Sequence, residues 1–193
     1  MSIKKRLSGY RIFQVSIILI CSLIFLVGVI THQSTSITIW LGLYRNDAMG
    51  WNALTQNSQY WRWITHAFVH NSPMHFGLNM YGFWEFTELL RKSRISVRVV
   101  CLVYFLSILF GALAHVCFGS SVSMAVGASA GILGFVSLFL AISIKKSDTK
   151  NIKVFSIAIF GQVILDRVIP GVGWLAHLGG LVTGFVLGII IKP

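Results

Sequence analysis

The sequence predicts an all-α membrane protein, a bundle of six spanning helices with a long interfacial first outer loop. Three observations carry this reading. Of 193 residues, 55% are hydrophobic and only 11% are charged, with mean hydropathy +0.79, whereas a soluble domain holds roughly 25% charged residues. Apolar stretches of spanning length recur six times, and the basic residues gather at alternate connections between them. Six spans of about 20 residues leave only about 73 for loops and ends, so residues 1–193 form a single membrane domain with a short cytoplasmic N-terminal segment, 1–11. The composition excludes a disordered chain, a secreted disulfide scaffold and a soluble nucleic-acid binder. The net charge of +11 and pI near 10.1 must instead be read by where the charge falls.

The first span is residues 12–30. Lys4, Lys5, Arg6 and Arg11 precede it like the charged region of a signal peptide, but about 19 apolar residues run into Thr31-His32-Gln33 without a small-x-small cleavage site, which favours an uncleaved span. Residues 31–72 form a long connection holding Trp40, Trp51, Tyr60, Trp61 and Trp63, broken by Gly42 and Gly50. Aromatic residues at this density suit a segment lying in the membrane interface. The remaining spans are 73–90, 97–118, 122–144, 152–168 and 174–191. With the N-terminus inside, thirteen basic residues fall on the inner side: Lys4, Lys5, Arg6, Arg11, Arg91, Lys92, Arg94, Arg98, Lys145, Lys146, Lys150, Lys153 and Lys192. Only Arg45, Arg62 and Arg167 fall outside. Both termini are therefore expected in the cytoplasm, and the compact form suggests a bacterial inner membrane. Cys21, Cys101 and Cys117 make no C-x-x-C pair and are odd in number, so they read as apolar filler.

Polar groups within spans are costly, which makes them functional candidates. His75 and Asn79 fall in the outer part of span two, Ser129 about two turns into span four, and His177 about one turn into span six. All four lie in the outer half of the membrane. Ser129 sits in Gly127-Ala128-Ser129-Ala130-Gly131, a string that by itself also fits helix packing. The elbow of the α/β-hydrolases needs a strand within a soluble parallel sheet and does not apply. His177, Gly180, Gly184 and Gly188 share one helix face, and small residues on both helices would let backbones approach until the hydroxyl meets the imidazole. A serine needs such a base to become a nucleophile.

Asp47 and Asp148 are in loops, and Glu85 and Glu88 lie toward the inner half. Asp166 alone is on the correct side, near the outer end of span five. A Ser129–His177 dyad is the reading. His75 and Asn79, four apart and so on one face, together with the Ser129 N–H, are candidate donors to an oxyanion; the alternative is that they are interhelical glue. His66 and His70, with His75 following, lack the glutamate of H-E-x-x-H and a nearby carboxylate or cysteine. No metal and no cofactor are expected. A transporter would show Gly/Pro-broken segments in matching halves, and none is present.

Trp61-Arg62 in the first loop, His70-x-x-x-x-His75-x-x-x-Asn79 entering span two, Gly127-Ala128-Ser129 in span four and Ala176-His177-x-x-Gly180-x-x-x-Gly184 in span six together resemble the rhomboid intramembrane serine proteases in order, spacing and depth. The resemblance covers essentially the whole chain. It implies Ser129 as nucleophile, His177 as base and later acid, and His75 and Asn79 as oxyanion donors. It further implies His70 as a supporting residue, a partly embedded loop scaffold at Trp61 and Arg62, and a transmembrane protein as substrate. Ala130 stands where the family often has glycine, and Leu133 where an aromatic ring packs on the histidine. These departures keep open a catalytically weak or inactive rhomboid-like protein that binds transmembrane clients. Glu88 is within helical reach of Arg91 or Lys92 and looks structural.

Overall fold

The computed structural model describes residues 3–46, 51–52, 59–120, 122–169 and 173–191. Of the residues singled out above, Gly50 and Asp47, the side chains of Lys4, Lys5, Arg6, Arg45 and Trp51, and Lys192 lie outside the described residues. In chain order the elements are α1 (Ile3–Ile30), α2 (Ser34–Leu41), β1 (Leu43–Asn46), β2 (Trp51–Asn52), α3 (Arg62–Thr65) running into a 3-10 turn (His66–Phe68), α4 (Pro73–Lys92), α5 (Val97–Phe118), β3 (Val122–Ala125), α6 (Ser129–Lys145), α7 (Thr149–Val168) and α8 (Trp174–Ile190).

Six long helices occupy the six apolar stretches, and side-chain caps set where three of them begin. Ser72 accepts the His75 backbone N–H at 3.2 Å with Pro73 in the first turn. Ser96 and Asp148 do the same for α5 and α7, each satisfying a donor that the first helical turn leaves unpaired. By length and composition two helices, Gly9–Ile30 and Val97–Phe118, are long and apolar enough to cross a bilayer, while α6 and α8 are apolar but 17 residues long.

Three local readings change. Helix α1 begins at Ile3, so the charged start is wound into the first helix rather than standing ahead of it; lysine and arginine are good helix formers. The lower part of α1 is anchored by Tyr10 Oη donating to Ile95 O at 2.7 Å, Gln14 Nε2 to Thr87 Oγ1 at 2.7 Å, and an Arg11–Glu88 ion pair at 3.2 Å. The outer loop is folded: after α2, strand β1 lies between β2 and β3 in a small antiparallel sheet. Residues 122–125, read above as the start of span four, are the strand β3, paired from Leu43↔Ala125 to Asn46↔Val122. The helix therefore starts only at Ser129, and the all-α bundle carries this sheet beside its outer end.

Helix α6 is the centre of the bundle. Most of its residues are buried, and it packs on α8, α5, α7 and α4. Small residues set the closest approaches. A Cβ on Gly180 would overlap Ala130 O, one on Gly184 would overlap Gly134 O, and one on Gly179 would stand 2.6 Å from Phe110 O. The glycine face predicted for span six thus meets α6, and α5 closes the other side. A second cluster binds α1, α4, α5 and α6 through the rings of Phe13, Phe83, Tyr104 and Phe135, with centroids 5.3–6.2 Å apart. At the far end of α8, Lys145 Nζ donates to Ile189 O at 3.0 Å and Ile191 O at 2.8 Å, a cation on carbonyls that have no intrahelical partner.

Candidate active site

The turn that presents Ser129 is fixed by its glycine. Gly127 has φ +106°, a left-handed region that side chains rarely adopt, and an added Cβ there would stand 2.6 Å from His75 Nε2. Its N–H donates to His66 O at 2.9 Å, tying the turn to the outer loop. The chain leaves β3, reverses at Gly127 and enters α6 at Ser129. The serine is thus the first residue of its helix, not two turns inside it. The first N–H groups of a helix lack intrahelical partners and carry the positive end of the helix dipole, so the hydroxyl sits among donors suited to an anion.

His177 lies in the first turn of α8. Ser129 Oγ and His177 Nε2 are 2.6 Å apart, brought together by the contact of Gly180 with Ala130 described above. The other ring nitrogen departs from expectation: His177 Nδ1 is 2.8 Å from Asp166 Oδ1, so the reading that no carboxylate accompanies the pair is corrected. The 11 residues of spacing run from the end of α7 to the start of α8, and the two helix ends lie side by side. A carboxylate only accepts, so Nδ1 carries the proton and Nε2 turns its lone pair to the hydroxyl. Asp166 Oδ1 also accepts from Gln162 Nε2 at 2.7 Å, one turn earlier on α7. Arg167 stacks its guanidinium 3.9 Å over the Trp174 ring.

On α4, His75 and Asn79 share a face, and His75 lies against Gly127. His75 Nδ1 is 2.9 Å from Asn71 Oδ1. Asn79 is buried, donates from Nδ2 to His75 O at 2.9 Å, and keeps a second N–H on the same nitrogen. Its Oδ1 is buried without a hydrogen-bond partner among the described residues.

The supporting residues divide. Arg62 is buried, donating to Ile39 O at 2.6 Å, Gly42 O at 2.7 Å and Gln59 Oε1 at 2.5 Å; its planar fork binds α2 to α3. Trp61 is exposed and makes one long bond, Nε1 to Trp40 O at 3.4 Å. His70 packs edge-on against His75 and Phe76, with centroids 5.0 and 5.6 Å apart, and burial pushes its imidazole down to about 3. His66, given no role by the sequence, is buried, held by Nδ1 on Arg62 O at 2.8 Å, and pushed down to about 4 by burial. Its carbonyl positions Gly127, a contact that no side-chain pattern reveals. Glu88 pairs with Arg91 at 2.7 Å as the helical spacing suggests.

Comparison with known proteins bears on the family of the chain. The family model described as Rhomboid domain matches residues 57–193, more than half of the chain. Similar proteins include the RHOMBOID-like protein 6, mitochondrial, of Arabidopsis thaliana, 29% identical over 77% of this chain and 49% of the relative. The Inactive RHOMBOID-like protein 8 of the same plant is 26% identical over 82% and 47%. The Rhomboid protease GlpG of Haemophilus influenzae is 27% identical over 70% and 71%. The chain spans about half the length of the first of these relatives. With a domain match of this extent on a helical membrane bundle, the chain belongs to the rhomboid family.

Proposed function

We propose that the protein is an intramembrane serine endopeptidase that hydrolyses peptide bonds in or beside the transmembrane segments of other membrane proteins. The observation that carries this reading is the 2.6 Å approach of Ser129 Oγ to His177 Nε2 at the start of α6. His177 takes the hydroxyl proton at Nε2 as Oγ bonds to the scissile carbonyl carbon. The oxygen of that carbonyl becomes an anion facing the second Nδ2 hydrogen of Asn79 and the first N–H groups of α6. Each such donor is worth about 10²–10³-fold in rate. His75 donates from Nε2 in the tautomer in which Asn71 turns its amide N–H toward Nδ1. On collapse the proton on His177 passes to the leaving amine, and a water activated by the same imidazole releases the acyl group from Ser129. The client must present an unwound segment, because a helical carbonyl is already occupied.

Inner-side basic residues outnumber outer ones, which supports cytoplasmic termini and a site open to the opposite face; a bacterial inner membrane is the proposed location. A fluorophosphonate probe is expected to label the detergent-solubilised protein at Ser129 and to leave Ser129→Ala unlabelled. Labelling that persists in Ser129→Ala refutes the assignment. A second reading, a non-catalytic binder of transmembrane clients, draws on the likeness to a relative named inactive and on Ala130 and Leu133. Binding of a single-span client without cleavage, unchanged in His177→Ala, would favour it.

A further inference from the structure

We propose that Asp166 is a positioning residue for His177, so that Gln162, Asp166, His177 and Ser129 act as one hydrogen-bonded line across α7, α8 and α6. This inference rests on the peptidase reading and extends it to a group that the sequence pattern leaves out. Three observations carry it. Asp166 Oδ1 lies 2.8 Å from His177 Nδ1 while Nε2 of the same ring lies 2.6 Å from Ser129 Oγ, so the carboxylate, imidazole and hydroxyl are in series. Asp166 is 8% exposed on a helix whose other buried residue is Phe155. A carboxylate is costly to bury unless it is paired and hydrogen-bonded, and its partner here is the imidazole. Gln162 Nε2 donates to the same oxygen at 2.7 Å, which fixes the carboxylate rotamer from within α7. The neighbouring cation, Arg167, is committed to the Trp174 ring.

The work of such a group is orientation and charge balance. It keeps the proton on Nδ1, which leaves Nε2 unprotonated toward the serine. When the serine proton moves to Nε2, the ring becomes a cation beside a carboxylate that stays ionised; no proton passes to Asp166. A packing staple between the outer ends of α7 and α8 would use the same contact without these consequences, and the two are separable by experiment.

The test compares wild type, Asp166→Asn, Asp166→Ala and Gln162→Ala in detergent. It follows the rate constant of fluorophosphonate labelling at Ser129, kcat and KM on a single-span client, the melting temperature, and the ¹⁵N spectrum of selectively labelled histidine. In Asp166→Asn both labelling and kcat are expected to fall at least about 10-fold with KM changed less than about twofold, the loss reaching about 10⁴-fold where an Asp→Asn change leaves a catalytic histidine in the wrong tautomer. Gln162→Ala is expected to show a smaller loss of the same kind. The His177 nitrogens should report an Nδ1–H tautomer in wild type and a mixture in Asp166→Ala. Should the alanine variant not fold, the isosteric asparagine carries the test. Wild-type labelling rates and an unchanged tautomer in Asp166→Asn overturn the proposal, as does a variant whose only change is a lower melting temperature. If folded wild type itself is not labelled, the peptidase reading fails, and this inference fails with it.

Discussion

Gly127 meets two requirements at once, one of backbone and one of space. Its φ of +106° and the 2.6 Å from a would-be Cβ to His75 Nε2 act together, so Gly127→Ala meets both backbone strain, about 1–3 kcal/mol, and a displaced imidazole. We expect this variant to lower the Ser129 labelling rate at least tenfold while the melting temperature drops by several degrees; wild-type labelling would contradict the turn's role. His66 and His70 give the outer loop an acid sensitivity. Burial holds them near 4 and near 3 against 6.5 in the unfolded chain. Below pH 6.5 the unfolded chain binds protons that the folded loop refuses, so their stabilisation is complete above 6.5 and is lost as pH falls toward those values. Each unit of displacement corresponds to about 1.4 kcal/mol. The melting temperature in detergent should therefore fall between pH 7 and pH 4.5, and the fall should shrink in a His66→Asn, His70→Asn double variant.

Among the helices, the contact of α6 with α8 joins fold and site. A side chain at Gly184 would run into Gly134 O and stand 2.5 Å from Ser137 Oγ, so Gly184→Val must push the helices apart. Overpacking of this kind costs about 1–3 kcal/mol or more. The expected result is loss of labelling at Ser129, about one to two turns of α6 away from the substitution's own contacts at Gly134 and Ser137, with a lower melting temperature; retained labelling would show that the approach of these helices is not required. The same contact was readable in advance, because steps of three and then four along His177, Gly180, Gly184 and Gly188 are a local pattern. Strand β3 was not. Val122 to Ala125 is apolar in the way a helix start is apolar, and only pairing with Leu43–Asn46, some 80 residues earlier, makes it extended. Asp166 was readable as an acid on the correct side, yet its meeting with His177 depends on how α7 and α8 turn at their outer ends. His66 was unreadable for a different reason: its link to Gly127 is made by a carbonyl, which every residue has.

At the scale of the molecule the two ends of the bundle are built differently. Toward the end of α8, lysine closes exposed carbonyls, and Glu88 joins Arg91 and Arg11. Toward the start of α6 and α8, uncharged or singly charged hydrogen-bonded groups converge, and the loop, held together by Arg62, is bound to them through the His66 carbonyl. The six-helix plan follows from apolar length and the distribution of basic residues; the arrangement of the reactive groups follows from two helix starts being brought side by side. One consequence concerns what a client must give up. On the proposed peptidase reading, a nucleophile on the opening residue of its rod would ask the substrate to surrender only its outermost coil, where water can meet the freed amides. Mapped by mass spectrometry, cuts should cluster at the exterior rim of the victim's hydrophobic stretch, and scission at its centre would speak against this economy of unwinding.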